Sequence, residues 1–405
     1  MAYTETTTTG YGDRLTNALK GVVGGFIMFI IGTVLLFWNE GNYVKTKKSI
    51  DEAQGVAVQV DDVSNVDPAL NGKLIHASAF ADTEDVLTDE LFGISEKAIA
   101  ISRKVEYYQN VEKSHTETKD KLGGGQEKIT TYTYDQEWSD KPIQSSQFHD
   151  PAYKSSNFVL AVVEAKKELA KNVTFGGYKL PVFIISSISG SIPAEAKLSP
   201  DGLKQWEKTI AQNRSALGLG TAGAGQMVHV SSNVVYFGNS AATPGIGDVR
   251  VTLEKILQPA EISIIAKVVG STFERYIASN GKTVSRVEMG TVSAEKMFAD
   301  AQSENSMITW ILRLIGVILV IFGLKSMFDI LPALFKVVPF LGTIVGAGVG
   351  LVCGIVGFAW SLIIIAIAWL FYRPLIGIAL LAIAIAGIWY LKQKSKTKGQ
   401  TPEAS

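Results

Sequence analysis

The feature that most constrains this chain is a nearly unbroken apolar block at residues 307–391. A helix needs about 20 apolar residues to cross a bilayer core, so the block is long enough for several crossings. Within it, a glycine recurs at every fourth residue, at Gly342, Gly346, Gly350 and Gly354. Residues i and i+4 share one face of a helix, and small residues there let a neighbouring helix approach closely. The sequence therefore predicts an integral membrane protein with a glycine face for helix packing.

Composition limits what lies outside this block. The chain has 405 residues, of which 47% are hydrophobic, and its formal net charge is zero. Balanced charge gives no basic field, so we expect no nucleic-acid partner. The single cysteine, Cys353, lies inside the apolar block. An intrachain disulfide is therefore ruled out, and a soluble domain of this chain must rely on its hydrophobic core.

A second apolar stretch, residues 21–38, follows Arg14 and Lys20 near the N-terminus. One interpretation is the core of a secretory signal peptide. The stretch exceeds the usual length of about 7–15 residues, however, and no A-x-A cleavage pattern follows it. An uncleaved signal-anchor helix is the better interpretation. The polar, threonine-rich residues before it have too little apolar surface to pack, which predicts a disordered tail.

Between residues 39 and 306 the pattern changes to short alternating runs separated by Gly, Asn, Asp and Pro. Such runs predict β-strands, here at 56–60, 73–80, 228–237, 250–256 and 261–269. The clearest pair is 101–111 with 127–138, joined by a polar loop that ends in glycines. Ser199 followed by Pro200 is a typical helix start and predicts a helix to about Asn213. A further helix is predicted to begin at Ser293 and lead to the membrane.

The apolar block divides into three predicted spans. The first ends at about Asp329, because Pro332 cannot continue the helix. The second carries the glycines and ends near Tyr372, and the third occupies residues 374–391. At 1.5 Å per residue, residues 337–372 would form a helix roughly 54 Å long, too long for one upright crossing. Either residues 337–342 lie along the membrane interface, which we favour, or the segment contains a hidden turn.

Charge predicts the orientation, since cytoplasmic ends of spans are enriched in Lys and Arg. Lysines follow the last span, and Lys325 and Lys336 flank the Asp329 break. With four spans the N-terminus lies on the same, cytoplasmic side, and the domain of residues 39–306 faces the opposite compartment. The lysines at 45, 47 and 48, directly after the first span, oppose this arrangement.

Charged residues near the spans have simple explanations. Arg313 and Arg373 lie near the predicted outer ends of their helices, where snorkelling to lipid phosphates is expected. Lys325 and Asp329 are spaced i, i+4 and are expected to pair at the inner interface.

Short motifs in a fixed order carry a family resemblance over nearly the whole chain. They are Asn39-Glu40-Gly41, Lys45-Thr46, Gly72-Lys73-Leu74-Ile75-His76, Arg103, Val105-Glu106, Tyr108-Gln109, Tyr132-Thr133-Tyr134, Glu137-Trp138, Pro244, Gly247-Asp248-Val249-Arg250-Val251, Ser293-Ala294-Glu295, Asn305-Ser306-Met307, Trp310, Arg313 and Trp369-Leu370-Phe371-Tyr372-Arg373-Pro374-Leu375. In this order they resemble the LUMA family (transmembrane protein 43-like).

The resemblance implies four spans, one large domain between the first and second, and cytoplasmic termini. For animal members, the resemblance implies proteins of the endoplasmic reticulum and the inner nuclear membrane. Such proteins organise other membrane proteins and self-associate. Related chains also occur in bacteria, which lack a nuclear envelope. The resemblance therefore implies the architecture more strongly than the cellular role.

A tyrosine-lined face is the candidate binding site. If 101–111 and 127–138 form a hairpin, residues of equal parity share a face of it. The tyrosines of this face and the charged residues near them form the candidate set: Glu106, Tyr108, Tyr132, Tyr134, Glu137, Asp248 and Arg250. Such a face could bind a lipid head group or a saccharide. The favoured interpretation is structural, with tyrosine pairs and an Asp248–Arg250 bridge that stabilise a sheet.

Motifs for catalysis and cofactors are missing from the sequence. The histidines are scattered without the spacing of metal ligands. Gly218, Gly220 and Gly223 match the dinucleotide fingerprint as a string, but a predicted helix precedes them and a strand follows, which reverses the required order. No nucleophile elbow or Walker loop is present. We expect no catalytic residue, metal or cofactor.

The predicted fold class is a multi-pass α-helical membrane protein with four spans and a large extracytoplasmic α+β domain inserted between spans one and two. Its segments are a cytoplasmic tail (1–19), span 1 (20–38), the domain (39–306), span 2 (307–329), an interfacial connection (330–342), span 3 (343–371), span 4 (374–391) and a basic cytoplasmic tail (392–405).

The predicted function is a non-enzymatic membrane scaffold whose partners are membrane lipids, other membrane proteins and copies of itself. The alternative is a membrane-bound enzyme or receptor acting on a lipid head group or glycan. A channel is the third hypothesis, weakened by the few charges in the spans. The expected location is the inner membrane with a periplasmic domain in a bacterium. In a eukaryote it is the endoplasmic reticulum or inner nuclear membrane, with a lumenal domain.

Overall fold

The structure is a computed structural model that describes residues 2–220, 225–374 and Ile378. The helices in these ranges are α1 (Tyr11–Val56), α2 (Val182–Ile185), α3 (Pro200–Ala216), α4 (Ala294–Phe328), α5 (Ile330–Phe335) and α6 (Pro339–Tyr372). The strands are β1 (Tyr3–Thr9), β2 (Val58–Val60), β3 (Leu74–Thr83), β4 (Val86–Asp89), β5 (Ile94–Lys97), β6 (Ala100–Asp120), β7 (Gln126–Ser139), β8 (Lys166–Leu169), β9 (Val173–Phe175), β10 (Tyr178–Lys179), β11 (Ile192–Pro193), β12 (Val228–Ser231), β13 (Val234–Phe237), β14 (Val249–Ile256), β15 (Ala260–Val269), β16 (Thr272–Glu274), β17 (Tyr276–Ile277), β18 (Thr283–Val284) and β19 (Arg286–Met289).

The chain divides into two compact units. The β-rich unit comprises Met1–Thr6, Glu52–Glu117 and Ile129–Phe298. The helical unit comprises Thr7–Asp51, Thr118–Lys128 and the chain from Ala299 onward. The large β-rich domain that the sequence predicts is therefore present.

The larger sheet of the β-rich unit has eight strands. Its main path is β1-β7-β6-β14-β13-β12, with β8 paired to β6 and β11 paired to β14. Residues of β14 alternate between buried and partly exposed along most of the strand, which is typical of a strand with one covered face. Helix α3 contributes Trp206 to the core of this sheet, stacked on Phe92 with ring centroids 6.2 Å apart.

The second sheet has seven strands in the order β19-β15-β16-β10-β9-β3-β2. Strand β3 also pairs with β15, so five of the strands close into a ring. The core at this sheet includes Ile75, Phe175, Tyr178, Ile264 and Phe273, each no more than 2% exposed. Burial of such large apolar side chains is what stabilises a domain that has no disulfide.

Several predicted elements of this unit are confirmed. Strands β6 and β7 pair as neighbours in the sheet. The Ser199 hydroxyl caps α3 by accepting a hydrogen bond from the Gly202 amide at 3.0 Å. The single strand predicted at 228–237 is instead the hairpin of β12 and β13, because Ser232 adopts a left-handed conformation with φ of 52° and turns the chain.

In the helical unit, three helical segments are long and apolar enough to cross a membrane: Tyr11–Val56, Ala294–Phe335 and Pro339–Tyr372. Their exposed surfaces carry many large apolar side chains, such as Phe26, Leu314 and Phe358. Apolar side chains on the outside of a helix bundle are expected where lipid is the solvent. The fourth predicted span, 374–391, and the basic tail, 392–405, lie outside the described residues except for Pro374 and Ile378.

Helices α1 and α4 contact each other through glycines. A Cβ atom at Gly25 would lie 2.6 Å from the Gly323 carbonyl oxygen, and one at Gly32 would lie 2.9 Å from the Val320 amide nitrogen. A side chain does not fit at such distances, so the two backbones touch. Small residues hold membrane helices together in this way. The glycine spacing in the sequence predicted close packing on α6 but not this contact between α1 and α4.

The predicted disordered tail, residues 1–19, is ordered. Strand β1 pairs with β7, and the Tyr3 ring centroid lies 6.2 Å from that of Tyr132. Helix α1 begins directly afterwards, at Tyr11. The prediction weighed only the lack of apolar surface. A run of β-branched threonines suits a pleated edge strand, and β7 supplies the backbone partners.

The tip of the β6–β7 hairpin, residues 118–128, was assigned by sequence to the 39–306 domain, but it belongs with the helices. Asp120 forms ion pairs with Arg14 at 2.8 Å and with Lys336 at 3.0 Å. The Gly123 amide donates a hydrogen bond to the Val337 carbonyl at 3.1 Å. Oppositely charged residues far apart in sequence give no local signal of such contacts.

The helix boundaries differ from the predictions at two places. Span 1 was predicted to end at Trp38, but α1 continues as a polar helix to Val56, since no proline interrupts it. The interfacial connection predicted at 330–342 consists of α5 and the start of α6. Helix α6 is continuous over 34 residues, so the hidden turn considered for this segment is absent.

We predict that Gly25→Ala destabilises the helical unit. Its Cβ atom would meet α4 atoms at 2.6–2.8 Å, and overpacking costs about 1–3 kcal/mol. Gly24→Ala is the matched control, because no atom of the described residues lies within 4 Å of its Cβ position. Thermal unfolding in detergent, followed by circular dichroism, should show a lower Tm for Gly25→Ala alone. Equal Tm values for the two variants would contradict the close α1–α4 contact.

Candidate functional site

Polar side chains from α1 and α4 meet others from α6 near the C-terminal end of α6. Glu40 on α1 is fully buried, and its carboxylate accepts hydrogen bonds from the Arg313 guanidinium at 2.5 and 2.9 Å. The Trp369 indole N–H donates to the same carboxylate at 2.8 Å. We name this set, together with Asn39 and Thr309, the helix-end cluster.

Uncharged groups extend the helix-end cluster along α1 and α4. The Asn39 side-chain amide donates to the Thr309 carbonyl at 3.0 Å, and the Asn305 amide donates to the Tyr43 carbonyl at 3.1 Å. The Asn39 Oδ1 atom is buried and has no hydrogen-bond partner within the described part of the chain. Side-chain bonds to backbone carbonyls of the opposite helix fix the register of α1 against α4.

The two arginines are held by aromatic rings. The Arg313 guanidinium carbon lies 4.6 Å from the Trp310 ring centroid, and that of Arg373 lies 4.6 Å from Tyr43 and 5.5 Å from Trp369. The expectation that Arg313 snorkels to lipid phosphates is wrong, because its partner is the buried Glu40. A cation over an aromatic ring contributes about 0.5–2 kcal/mol, more when water is excluded.

The buried ion pair explains how the helix-end cluster holds α1, α4 and α6 together. A lone charge in a membrane helix costs about 2.5 kcal/mol or more, so Glu40 and Arg313 are each costly without the other. Two parallel N–H···O bonds satisfy both groups and demand a fixed geometry. Sequence offered one signal for this pair: Glu40 lies two residues after the end of the first apolar stretch, Trp38. Its partner, 273 positions away, has no local signal.

The predicted glycine face of α6 is split between two environments. A Cβ atom at Gly342 would lie 2.1 Å from the Lys336 side chain, and one at Gly346 would lie 3.5 Å from Pro332. Among residues 2–220, 225–374 and Ile378, nothing lies within 4 Å of the Cβ positions of Gly350 and Gly354. The first two glycines therefore pack against the α5 segment, and the second two leave an open strip. We name Gly350 and Gly354 the open glycine face.

The candidate residues of the tyrosine-lined face lie on one sheet but form separate groups. Arg250 and Glu106 are cross-strand neighbours of β14 and β6, paired at 2.8 Å. The Arg250 guanidinium carbon lies 4.3 Å from the Trp138 ring centroid, and the Tyr108 ring packs on Trp138 at 5.2 Å. Burial tends to raise the pKa of Glu106, but hydrogen bonds from Lys104 and Arg250 outweigh it and lower that pKa.

Asp248 does not bridge to Arg250, which corrects one expectation. It accepts a hydrogen bond from the Tyr236 hydroxyl at 2.5 Å and another from the Gly245 amide at 2.8 Å. Burial raises the pKa of the Asp248 carboxyl, and burial together with Asp248 raises the pKa of Tyr236. Tyr236 also contacts Trp138, with ring centroids 6.2 Å apart. The sequence analysis missed Tyr236, whose place on β13 depends on the turn at Ser232.

The other tyrosines form a second group around Glu112. The Tyr134 hydroxyl donates to Glu112 at 2.6 Å, and Tyr132 stacks on the His149 ring at 3.9 Å. His149 in turn pairs with Glu112 at 2.8 Å. Burial and the bond to Glu112 raise the pKa of Tyr134 to about 12. Glu137 lies apart from this group, half exposed, and pairs with Lys113.

These features define a class of protein: a membrane protein whose long apolar helices are joined to a large β-rich domain. Comparison with known proteins gives the family. The profile described as Transmembrane protein 43 matches residues 107–374, and the chain belongs to this family. The resemblance drawn from the sequence motifs is thereby confirmed.

Three relatives illustrate the similarity. The chain is 29% identical to "Transmembrane protein 43" of Rattus norvegicus, over 96% of this chain and 94% of that protein. It is 30% identical to the Mus musculus protein of the same name, over 90% and 88%. It is 28% identical to "Transmembrane protein 43 homolog" of Drosophila melanogaster, over 91% and 93%. No solved structure matches the chain.

We predict that Glu40→Gln destabilises the protein by about 3–5 kcal/mol, because it leaves the buried Arg313 charge without its partner. Lys47→Gln is the control: it removes one member of the exposed Lys47–Asp51 pair on the same helix, where about 0–1 kcal/mol is expected. Chemical unfolding of the detergent-solubilised variants measures both changes. A Glu40→Gln protein as stable as the Lys47→Gln protein would refute the role of the ion pair.

Proposed function

We propose that this protein is a non-enzymatic membrane scaffold that uses α6 to bind another membrane helix. The observation that carries the proposal is the open glycine face, where no described residue occupies the space at the Cβ positions of Gly350 and Gly354. Small residues let a second backbone approach closely, and in a bilayer such packing drives helix association. The partner is a second copy of this chain or another membrane protein.

The α1–α4 contact supports the proposal, because it shows how this chain uses glycine. There, Gly25 and Gly323 lie opposite each other with backbone atoms in contact. The open glycine face has the same chemistry without an occupant among the described residues. The helix-end cluster holds α6 against α1 and α4, so the face is fixed before a partner binds. Such preorganisation reduces the entropy that association costs.

The alternative, an enzyme or receptor for a head group or glycan, has less support. The polar groups on the tyrosine-lined face bond mainly to one another: Glu106 to Arg250, Asp248 to Tyr236 and Glu112 to Tyr134. Groups satisfied in this way stabilise a sheet. The tyrosine-lined face then makes the sheet rigid, and the domain binds partners through its other surfaces.

The proposal includes the finer topology. Four crossings, the fourth at 374–391, place the lysine-rich tail in the cytoplasm and the β-rich domain in the periplasm or the lumen. In an animal cell this corresponds to the endoplasmic reticulum or inner nuclear membrane. The contacts of the hairpin tip, residues 118–128, with Arg14 and Lys336 oppose this arrangement, because both residues are assigned to cytoplasmic helix ends. We give the lysine tail and the layout implied by the family resemblance more weight.

We predict that differently tagged copies of the protein co-purify from native membranes and that Gly350→Ile with Gly354→Ile weakens this association. A loss of about 1.4 kcal/mol corresponds to a tenfold drop in affinity. Val352→Phe is the control, since it adds bulk on the opposite side of α6. An unchanged Tm would show that the double variant still folds. A strictly monomeric chain that also cross-links to no other membrane protein would rule out the scaffold.

Side-specific labelling tests the topology. In a Cys353→Ala background, single cysteines at Val162 and Lys394 are treated with a membrane-impermeant maleimide. Val162, in the β-rich unit, is 78% exposed in the structure. We expect Val162 to react from outside the cytoplasm and Lys394 to react only after permeabilisation. Reaction of Val162 on the same side as Lys394 would overturn the proposed arrangement.

A further inference from the structure

A polar pocket of about 460 Å³ lies in the helical unit, near the start of α1 and away from the helix-end cluster. It is lined by the start of α1, the end of α4, the α5 segment and the start of α6. Glycine and alanine keep it open, since Ala18, Ala333, Gly342 and Gly346 all line it. Two members of the predicted glycine face therefore shape a cavity as well as packing against α5.

Basic side chains converge on this pocket, and we name it the basic pocket. Arg14, Lys325 and Lys336 line it, with Asp329. Lys325 pairs with Asp329 at 2.9 Å, while Arg14 and Lys336 share Asp120. Three cations against two carboxylates leave one positive charge.

The ion pairs leave hydrogen-bonding capacity unused. An ammonium group has three N–H donors and a guanidinium has five. Arg14 forms an ion pair with Asp120 and donates a hydrogen bond to the Gly124 carbonyl, and Lys336 forms an ion pair with Asp120. The carboxylates thus hold the cations in place, and further donors remain for an anionic ligand. Oxygen atoms of a phosphate are strong acceptors for such groups.

The surroundings indicate that the ligand is a lipid. Large apolar side chains next to the basic pocket point outward, among them Leu334, Phe335, Val338 and Phe340, the last 71% exposed. Apolar side chains beside Lys and Arg are typical of the membrane interface, where the former enter the acyl region and the latter stay at the level of the phosphates. A head group in the basic pocket would have its acyl chains beside these residues.

We propose that the basic pocket binds the phosphate group of an anionic phospholipid. The single excess positive charge matches a head group with a net charge of minus one. Gly346 admits the head group, Lys336 and Arg14 contact the phosphate, and the α5 segment anchors the lipid beside α6. The bound lipid would join α1, α4 and α6 at the end where the helix-end cluster is absent.

Lipid-dependent thermal stability of the full-length protein in neutral detergent tests this proposal. Short-chain phosphatidylglycerol should raise the Tm at concentrations at least tenfold lower than short-chain phosphatidylcholine does. Native mass spectrometry should show one phosphatidylglycerol retained per chain. Inorganic phosphate and glycerol 3-phosphate form the second arm. Protection by either one equal to that of the lipid would overturn the assignment to a lipid.

Variants locate the site. Gly346→Leu fills the basic pocket without a change of charge, and Lys336→Gln removes one cation but leaves Asp120 paired with Arg14. Both should bind phosphatidylglycerol at least tenfold more weakly. Lys20→Gln is the control, because Lys20 is exposed on α1 near the pocket and does not line it. Unchanged binding by Lys336→Gln, or an equal loss in Lys20→Gln, would refute the proposal even if Gly346→Leu failed to fold.

Discussion

The arrangement of the helices depends on one buried ion pair, Glu40 with Arg313. Neither charge is tolerable alone at such a position, and their bidentate geometry allows little freedom in the placement of α1 against α4. Trp369 adds a third helix through its N–H group. In a bilayer there is no hydrophobic force between helices, so specific polar contacts and close packing must supply the order. The pair therefore sets how α6, and with it the open glycine face, is presented.

Glycine has three different uses in these helices. Gly25 and Gly323 allow the backbones of α1 and α4 to touch, and Gly342 makes room for the side chain of Lys336. Gly350 and Gly354 have no neighbour at their Cβ positions in the part of the chain that the structure describes. The residue type is the same in each case, and only the neighbouring element differs. A helix face of small residues thus permits another helix to approach closely. That helix belongs either to the same chain or to a partner.

The β-rich unit shows how a group of reactive residue types becomes a structural feature. Glu106, Asp248 and Glu112 each accept hydrogen bonds from a tyrosine or a basic residue of the same sheet or its loops. Their pKa shifts record these environments: a carboxyl paired with an arginine has a lowered pKa, and the carboxyl of Asp248, buried beside a phenol, has a raised one. Perturbed pKa values accompany such networks as well as catalytic sites. The geometry here supports a rigid sheet.

The sequence alone determined the membrane class, the three apolar helices, the β6–β7 pair and the helix starts at Ser199 and Ser293, because hydropathy, alternation and caps are local properties of the chain. Only the tertiary structure decided which groups meet. Glu40 meets Arg313, Asp120 meets Arg14 and Lys336, and Asp248 meets Tyr236 and not Arg250. It also made an ordered strand of residues 3–9, since an edge strand needs a partner that composition does not reveal. Pairing across long sequence separations depends on the path of the whole backbone, and no pattern within a window of residues encodes it.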